Sequence, residues 1–369
     1  MPIPANLDTL QRVKPVSFAV IGCGVIGRMH LKAGAKAPQV NLAAVADVNG
    51  DAAQNAATEY GVARATTSAQ ELFDDPAIEA VVLALPTNIR ASLAQAAFRA
   101  GKHVLIEKPA AMSAAELESI LALQGDRVGG CCSCRPHTLS TTKAARAFVA
   151  SGALGQLRLL HCRASVPAGP PPGSPPPVWR LRRDLNGGGI LVNWGVYDLD
   201  FLLGMAGWSL EPEVAFGAHF LMPPDLLAHQ APGSDAETHA VGCVRFKGGA
   251  VLHFERGERV PASMENTWAI TGDRGTVRLT SSIPGMGMLN PQDPVYHDRI
   301  DPEKGVQTSV LHHDPDSQED NHDPGPIVDF AEAIQQGRPP LTTLENALTL
   351  TRITDALYRS AASGRSEPI

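Results

Sequence analysis

The first third of the chain alternates short apolar runs with alanine-rich stretches that carry a polar side. The apolar runs are VSFAVI, LAAVAD, EAVVLAL, HVLI and VGGCC, and the stretches between them are VIGRMHLKAGA, DAAQNAATEY, ASLAQAAFRAG and SAAELESILAL. The short runs predict buried strands, and the longer stretches predict helices. Repeated strand–helix–strand units predict an α/β domain with a doubly wound parallel sheet. A further helix is predicted over residues 138–151.

From about residue 156 the pattern changes to longer runs in which apolar and polar residues alternate. These runs are QLRLLHCRAS, EVAFGAHFL, THAVGCVRF, AVLHFERGE and TVRLT, separated by turn signals such as KGG at 247–249. They predict a mainly antiparallel sheet. The segment PAGPPPGSPPPVW is too rich in proline for a helix or a sheet and predicts a semi-rigid surface loop. Two helices, IVDFAEAIQQG and LENALTLTRITDALYRSAAS, close the chain.

A length of 369 residues fits two domains, each with its own core. We expect an arm at 1–14, a nucleotide-binding domain at 15–137, an α+β domain at 138–345, and a last helix and tail at 346–369. A net charge of -7 argues against nucleic acid and anionic membranes as partners. The chain has no apolar run long enough to span a bilayer, and its opening residues lack the apolar core of a signal peptide.

The six cysteines are sparse for this length, which indicates reduced thiols and a cytoplasmic location. Three of them, Cys131, Cys132 and Cys134, lie in VGGCCSC. We predict a buried strand there, in which only Cys132 and Cys134 share a face. No second Cys or His pair follows at zinc spacing, so packing is the favoured role.

Three glycines follow the first predicted strand in VSFAVIGCGVIGRMH. Gly22, Gly24 and Gly27 form G-x-G-x-x-G between a strand and a helix. This context predicts a tight turn, close approach of a pyrophosphate, and close packing of helix on strand. Asp47 ends the second strand, where a carboxylate binds the adenosine ribose and repels a 2′-phosphate, which favours NAD over NADP. The alternative is an ordinary turn beside a solvated aspartate.

Lys108 follows the predicted strand HVLI in the sequence Glu107-Lys108-Pro109. Ligands of parallel sheets bind beyond the carboxyl ends of the strands, so Lys108 is predicted to lie at the cleft. The proline after it favours an extended backbone. A lone lysine at a strand end is usually solvated, and its position alone does not separate the two roles.

With these motifs the chain resembles the glucose-fructose oxidoreductase, inositol dehydrogenase and MocA-like (Gfo/Idh/MocA) oxidoreductases from about residue 16 to its end. The resemblance rests on the glycine fingerprint and on VVLALPTNIRASLAQAAFRAGKHVLIEKP, SGALGQL, VWRL, GGGILVNWGVYDLD, DRGTVRL and DFAEAIQQGRPPLTTLENALTLTRITDALYRSA. It implies a Rossmann domain followed by an α+β domain with an open, predominantly antiparallel sheet that commonly forms homodimers or homotetramers. It also implies hydride transfer between NAD and a secondary alcohol of a sugar, polyol or related cyclic substrate.

The segment GGGILVNWGVYDLD places Asn193, Tyr197 and Asp200 on one face of a predicted helix. Buried polar groups need partners, so this face is either satisfied core or faces a ligand. The resemblance favours a ligand, because the family pattern there is Asp-x-Gly-x-His-x-x-Asp and these positions hold Asn193, Gly195, Tyr197 and Asp200. Our hypothesis is a proton relay through Lys108 and Tyr197, with Asn193 orienting the substrate. Loss of the family aspartate favours a neutral lysine.

Other residues are predicted to line the same cleft. The cofactor contacts are expected to include Val25, Ile26, Pro86, Thr87, Asn88, Glu107 and Lys108, and the substrate contacts Arg135, Trp179, Arg180, Asn193 and Tyr197. Either Arg90 or Arg135 is a candidate clamp for an acidic substrate. The alternatives are a helix cap for Arg90, a domain tie for Arg135, a loop anchor for Trp179, and a buried tyrosine bonded to a backbone carbonyl for Tyr197.

The segment LHHDPDSQEDNHDPG at 311–325 gathers histidines and aspartates without fixed ligand spacing, so we predict a solvated loop and no metal. Two other functions remain open. One is a redox-neutral enzyme that uses bound NAD as a glycosidase or lyase, and the other is a non-catalytic NAD-binding protein.

Overall fold

Parallel strands form the sheet predicted for the first third of the chain. The computed structural model describes residues 14–174, 176–263, 266–282, 287–319 and 325–369. Within these ranges the first sheet has six strands in the order β3-β2-β1-β4-β5-β6. Its elements are β1 Val16–Ile21, α1 Val25–Gly34, β2 Val40–Ala46, α2 Gly50–Tyr60, β3 Arg64–Thr66, α3 Ala69–Phe73, β4 Ala80–Leu83, α4 Thr87–Arg99, β5 His103–Ile106, α5 Ala114–Gln124 and β6 Gly129–Cys131.

The prediction of one strand through VGGCCSC is wrong beyond Cys131. β6 ends there, and a 3-10 helix runs from Cys132 to Thr138. Consequently Cys132 and Cys134 do not share a strand face. The structure also adds β3 and α3, which the apolar pattern did not predict because both are short.

The second sheet is large and predominantly antiparallel, as expected. Its strands in the described ranges are ordered β14-β13-β12-β11-β7-β10-β9-β8-β15, and only β7 and β10 pair in parallel. Their bounds are β7 Leu157–Pro167, β8 Pro212–Phe220, β9 His239–Phe246, β10 Val251–Val260, β11 Asn266–Gly272, β12 Gly275–Ser281, β13 Val295–Asp301, β14 Gly305–His312 and β15 Glu367–Pro368. The sequence pattern predicted five of these strands and missed β11, β13, β14 and β15.

Helices cover one face of this sheet. A π-helical turn at Leu191–Gly195 leads directly into the central helix α8. The helices of this half of the chain are α6 Ser140–Ala150, α7 Arg183–Asn186, α8 Val196–Met205, α9 Gly325–Gln336 and α10 Leu344–Ser363. Of these, α6, α8 and α10 contact the second sheet. The predicted bounds of α10 agree with those observed. No helix in the described part of the chain combines the length and apolarity needed to cross a membrane.

The two closing helices have different positions: α9 packs on the first sheet, and α10 contacts both sheets. Phe330 of α9 packs on Phe18 of the first sheet, with ring centroids 6.3 Å apart. The start of α10, at Leu344, joins the core of the first domain, whereas Ile353 joins the core of the second. α10 therefore fixes the two domains against each other and shapes the cleft between them.

Candidate active site

The glycine turn after β1 leaves space at its tip. Gly22 has a φ of 99°, and a Cβ there would lie 2.2 Å from the carbonyl oxygen of Ala84. A Cβ on Gly27 would lie 1.8 Å from the carbonyl oxygen of Gly22. In contrast, a Cβ on Gly24 would have no atom of the described residues within 4 Å. Two glycines are thus required by packing, and the third leaves open space of the kind that a pyrophosphate needs.

Helix α1 begins at this open turn. Gly24 is its N-cap and supplies no side-chain cap for the first N–H groups. Val25 is 78% exposed and Ile26 is 36% exposed, so the first turn of the helix faces the cleft rather than the core. The first N–H groups and the positive end of the helix dipole form an anion site there without a basic side chain.

Asp47 is held beside the glycine turn. Its Oδ2 accepts from the backbone N of Cys23 at 2.8 Å, and Oδ1 accepts from the backbone N of Asn49 at 2.9 Å. Each carboxylate oxygen retains a lone pair that can accept from a ribose hydroxyl. The chain's own residues therefore fit an adenosine ribose without a 2′-phosphate.

The start of α4 contributes less than expected to the cleft. Pro86 and Asn88 are exposed, but Thr87 is buried. The Thr87 hydroxyl donates to Asn186 Oδ1 at 2.9 Å. This side chain therefore connects the two domains.

A buried carboxylate organises the base of the site. Glu107 pairs with Arg135, lies 2.9 Å from Nε2 of His30, and accepts from the backbone N of Lys108 at 3.1 Å. Burial alone would raise the pKa of Glu107, but Arg135 and His30 hold it well below its usual range. With its oxygens occupied in this way, Glu107 positions its neighbours.

The two candidate arginines have different roles. Arg90 is buried and donates to the carbonyl oxygens of Leu85 at 2.7 Å and of Glu107 at 3.0 Å, and to that of Pro109. Its guanidinium thus braces the loop after β5. Arg135 reaches the cleft, where Nη1 donates to the Tyr197 hydroxyl oxygen at 2.7 Å.

Lys108 and Asn193 meet across the cleft. Lys108 Nζ donates to the backbone oxygen of Asn193 at 2.6 Å and to its Oδ1 at 3.0 Å. Burial, followed by the nearby cations Arg135, Arg90 and Arg180, lowers the pKa of Lys108 to about 7 against the opposing effect of Glu107. A lowered pKa favours the neutral form of Lys108, and burial is its largest cause.

Tyr197 faces the same cleft. Lys108 Nζ lies 4.8 Å from the centroid of the Tyr197 ring. Burial raises the pKa of the phenol, and Arg135 only partly opposes this rise. Because Arg135 donates to the hydroxyl oxygen, the hydroxyl proton can be donated in turn to another acceptor. Among the described residues, the hydrogen-bond partner of the Tyr197 hydroxyl is thus the Arg135 side chain rather than a backbone carbonyl.

The third polar residue of the helix face lies in the core. Asp200 is fully buried and accepts from Thr342 Oγ1 at 2.8 Å and from Ser133, with His137 Nε2 at 2.7 Å from its Oδ1. The three polar residues predicted on one helix face therefore lie in two different environments. Asn193 and Tyr197 face the cavity, whereas Asp200 ties α8 to the 3-10 helix after β6.

A cavity of about 440 Å³ lies between the domains at this point. The predicted residues Lys108, Arg135, Asn193 and Tyr197 line it together with Val25, Ile26, Trp179 and Arg180. The sequence analysis missed further lining residues: Met29, Trp194, Asp198, Phe201, Arg256, Trp268, Met288 and Leu289. Trp194 and Asp198 lie inside the segment GGGILVNWGVYDLD. Arg256 and Trp268 lie on β10 and β11, where the spacing of residues gave no indication of a site.

Two groups of residues have side chains of the types that bind metals. His312, His313, Asp314 and Asp316 are described, whereas Asp320, His322 and Asp323 lie outside the described residues. Elsewhere in the described chain, His30, Glu107 and Cys132 place ligand atoms within 4.8 Å of one another. Arg135 already pairs with Glu107, and burial raises the pKa of the Cys132 thiol well above its usual range. We therefore interpret this cluster as the surroundings of the Glu107–Arg135 ion pair rather than as a metal site.

Two family models match the chain. Residues 16–127 match the oxidoreductase family with an NAD-binding Rossmann fold, and residues 142–278 match the GFO/IDH/MocA C-terminal domain. The chain belongs to the GFO/IDH/MocA oxidoreductase family. Its first domain is an NAD-binding Rossmann domain, and the protein is an NAD-dependent oxidoreductase.

Relatives extend over most of the chain. An uncharacterized oxidoreductase, YrbE, of Bacillus subtilis is 24% identical over 95% of this chain and 96% of its own length. The myo-inositol 2-dehydrogenase of Thermotoga maritima is 26% identical over 70% of this chain and 74% of its own length.

Solved structures share the fold. Levoglucosan dehydrogenase in complex with NADH and L-sorbose has a TM-score of 0.81 at 21% identity, covering 96% of this chain and 98% of its own. The aldose-aldose oxidoreductase from Caulobacter crescentus, complexed with glycerol, has a TM-score of 0.76 at 22% identity, covering 96% of this chain and 100% of its own.

The open space at Gly24 gives a test of the nucleotide site. We expect Gly24→Ala to leave the thermal midpoint within about 2 °C of wild type, because its Cβ meets no atom. The same Cβ would occupy the position of the pyrophosphate and weaken NADH binding at least about tenfold. Titration by nicotinamide fluorescence measures this change. Gly169→Ala is the matched control, since its Cβ also meets no atom, and equal NADH affinity in both variants would contradict the assignment.

Proposed function

We propose that the protein transfers a hydride between NAD and a secondary alcohol of a sugar, polyol or related cyclic compound. One observation carries the proposal: Lys108, Asn193 and Tyr197 converge on the wall of a cavity that reaches the first turn of α1. Bound NAD supplies the hydride acceptor in the oxidising direction. The relatives named as myo-inositol 2-dehydrogenase and levoglucosan dehydrogenase support the substrate class.

Lys108 serves as the proton acceptor in this proposal. A pKa of about 7 gives comparable amounts of neutral and charged lysine at neutral pH. A general base works best when its pKa is close to the working pH. Asn193 accepts from the Lys108 amine and adds no negative charge that would hold the lysine proton.

Tyr197 completes the relay as a neutral phenol. Its raised pKa disfavours a free phenolate, so Tyr197 releases its proton to Lys108 as it takes one from the substrate hydroxyl. Arg135 donates to the phenol oxygen and fixes its direction. The cation that contacts the phenol oxygen is thus Arg135, whereas Lys108 lies over the ring.

The cavity walls suit a ring with polar edges. Trp179 and Trp194 line the cavity, and Trp179 is 47% exposed at the protein surface. Aromatic rings cover the C–H faces of a cyclic compound while the few polar groups of the site bind its hydroxyls. This combination supports a sugar or cyclitol as the substrate.

The proposal includes a homodimer or homotetramer in the cytoplasm, formed through the face of the second sheet that no helix of the described residues covers. Neighbouring strands bring Phe216, Cys243, His253 and His161 into one row on that face. Phe216 is 54% exposed, and Val310 at the far side of the sheet is 56% exposed. Large exposed apolar side chains on one face favour a protein contact, and a second copy of this chain is the occupant we propose.

The relay predicts unequal losses from two substitutions. Lys108→Met removes the base and is expected to lower kcat/KM by about 10³-fold, and Tyr197→Phe by about 10²-fold. Both are measured by NAD reduction with the most active compound from a sugar and polyol screen. Lys32→Met, at an exposed position on α1, is the control. Undiminished turnover in both site variants would rule out the relay.

The asparagine at 193 predicts a pH effect. Neutral Lys108 increases as pH rises through its pKa, so kcat/KM for oxidation should rise through an apparent pKa near 7. Asn193→Asp places a carboxylate beside the Lys108 amine and raises the pKa of that amine. The rise in kcat/KM, which is the limb of the pH profile in question, should therefore move to higher pH by about one unit or more. Asn55→Asp makes the same change at an exposed site on α2 and should leave the limb in place. A limb that does not move in Asn193→Asp would exclude Lys108 as its origin.

The oligomer predicts a change of mass. Phe216→Glu puts a charge on the uncovered sheet face and should convert the assembly into smaller species, as measured by sedimentation velocity. Leu227→Glu is the control, because Leu227 is 52% exposed on the 3-10 helix Pro224–His229 and not on the sheet. A wild-type protein that sediments as a monomer would overturn this part of the proposal.

A further inference from the structure

We infer that the substrate carries a carboxylate, which Arg256 and Arg180 bind in the cavity. This inference rests on the proposed function, since it names the substrate class of the same site. It begins with Arg256 of β10, a cavity-lining side chain that is only 2% exposed. The relay does not use it.

Arg256 is anchored on one side. Its Nη1 donates to the backbone oxygen of Gly287 at 2.5 Å and contacts Asp198 Oδ2 at 3.3 Å. Trp268 Nε1 donates to the same aspartate at 2.8 Å. The guanidinium lies 5.3 Å from the ring centroid of Trp194. The orientation of the guanidinium is therefore fixed before any ligand binds.

The other side of Arg256 has unused donors. Among the described residues, its Nε is buried without a hydrogen-bond partner, and Nη2 makes no hydrogen bond. A buried N–H without an acceptor costs free energy that a ligand oxygen would recover. Nε and Nη2 of arginine lie side by side and match the two oxygens of a carboxylate.

Arg180 provides a second cation nearby. It lines the cavity from the 3-10 helix Val178–Leu181 and pairs with Glu258. Glu258 lies two residues after Arg256 on β10, so both side chains project from the same face of that strand. Through this pair, Arg180 is held at the face of β10 that carries Arg256.

The charges of the cavity leave room for one anion. Three of its arginines each pair with one carboxylate: Arg135 with Glu107, Arg256 with Asp198, and Arg180 with Glu258. Among the described residues, the hydrogen-bond acceptors of Lys108 are both on Asn193, and neither is a carboxylate. A monoanionic substrate balances this excess, and a hexuronate or a cyclitol carboxylate combines the required anion with a ring for Trp179 and Trp194.

The test compares acids with uncharged counterparts in the NADH-bound protein. The probes are D-glucuronate, D-galacturonate and quinate, each paired with its amide, and binding is measured by calorimetry. We expect at least one acid to bind about tenfold or more tightly than its amide. Arg256→Lys keeps the charge but loses the two-pronged donor, and should reduce that preference to about twofold or less while NADH affinity stays unchanged.

Further variants separate binding from folding. Arg180→Gln alters a less buried side chain and carries the same test if Arg256→Lys does not fold. Arg278→Gln, at an arginine that pairs with Asp298 outside the cavity, should keep the preference. The inference is wrong if acids and amides bind equally, if no acid binds below about 10 mM, or if both cavity variants keep the preference. Failure of the wild-type protein to bind NADH would instead refute the proposed function.

Discussion

The buried carboxylate of Glu107 is the interaction on which the site depends. A charge this deep is tolerated only with close partners, and removing one partner of such a pair is strongly destabilising. Its partners come from different parts of the chain: His30 from α1, Arg135 from the 3-10 helix after β6, and the backbone of Lys108. Satisfying one carboxylate therefore brings the first helix, the end of β5 and the entry to the second domain into a fixed arrangement.

This arrangement determines how two nearby cations act. Arg135 pairs with Glu107 and donates from Nη1 to the Tyr197 hydroxyl oxygen, so it stays charged and positions the phenol. Lys108 is buried beside Arg135 without a carboxylate acceptor of its own, so its pKa falls to about 7. The chain thus separates a permanent cation from a titratable amine. The asparagine at 193 maintains the separation, because an aspartate there would hold the lysine proton.

Much of the fold could be predicted from the sequence. The apolar runs gave five of the six strands of the first sheet, and the glycine fingerprint located its nucleotide turn, because these features depend on neighbours in sequence. Short elements such as β3, and later strands such as β11 and β13, were missed, since their stability comes from the sheet they join. The break after Cys131 was missed for a similar reason: the buried side chains of Ser133 and Arg135 are fixed by Asp200 and Glu107, respectively, rather than by local alternation.

The residues of the site could be predicted where they belong to a recognisable sequence motif and not elsewhere. Lys108, Asn193 and Tyr197 lie in recognisable segments, but the contact between Arg135 and Tyr197 joins residues 62 positions apart. Arg256 and Trp268 reach the cavity only because β10 and β11 both flank β7. The most direct test of the account is the pKa of Lys108, measured by NMR on protein labelled with ¹³C at the lysine ε-carbon and assigned with Lys108→Met. The account predicts a pKa near 7, and a value near the ordinary 10.5 would contradict it.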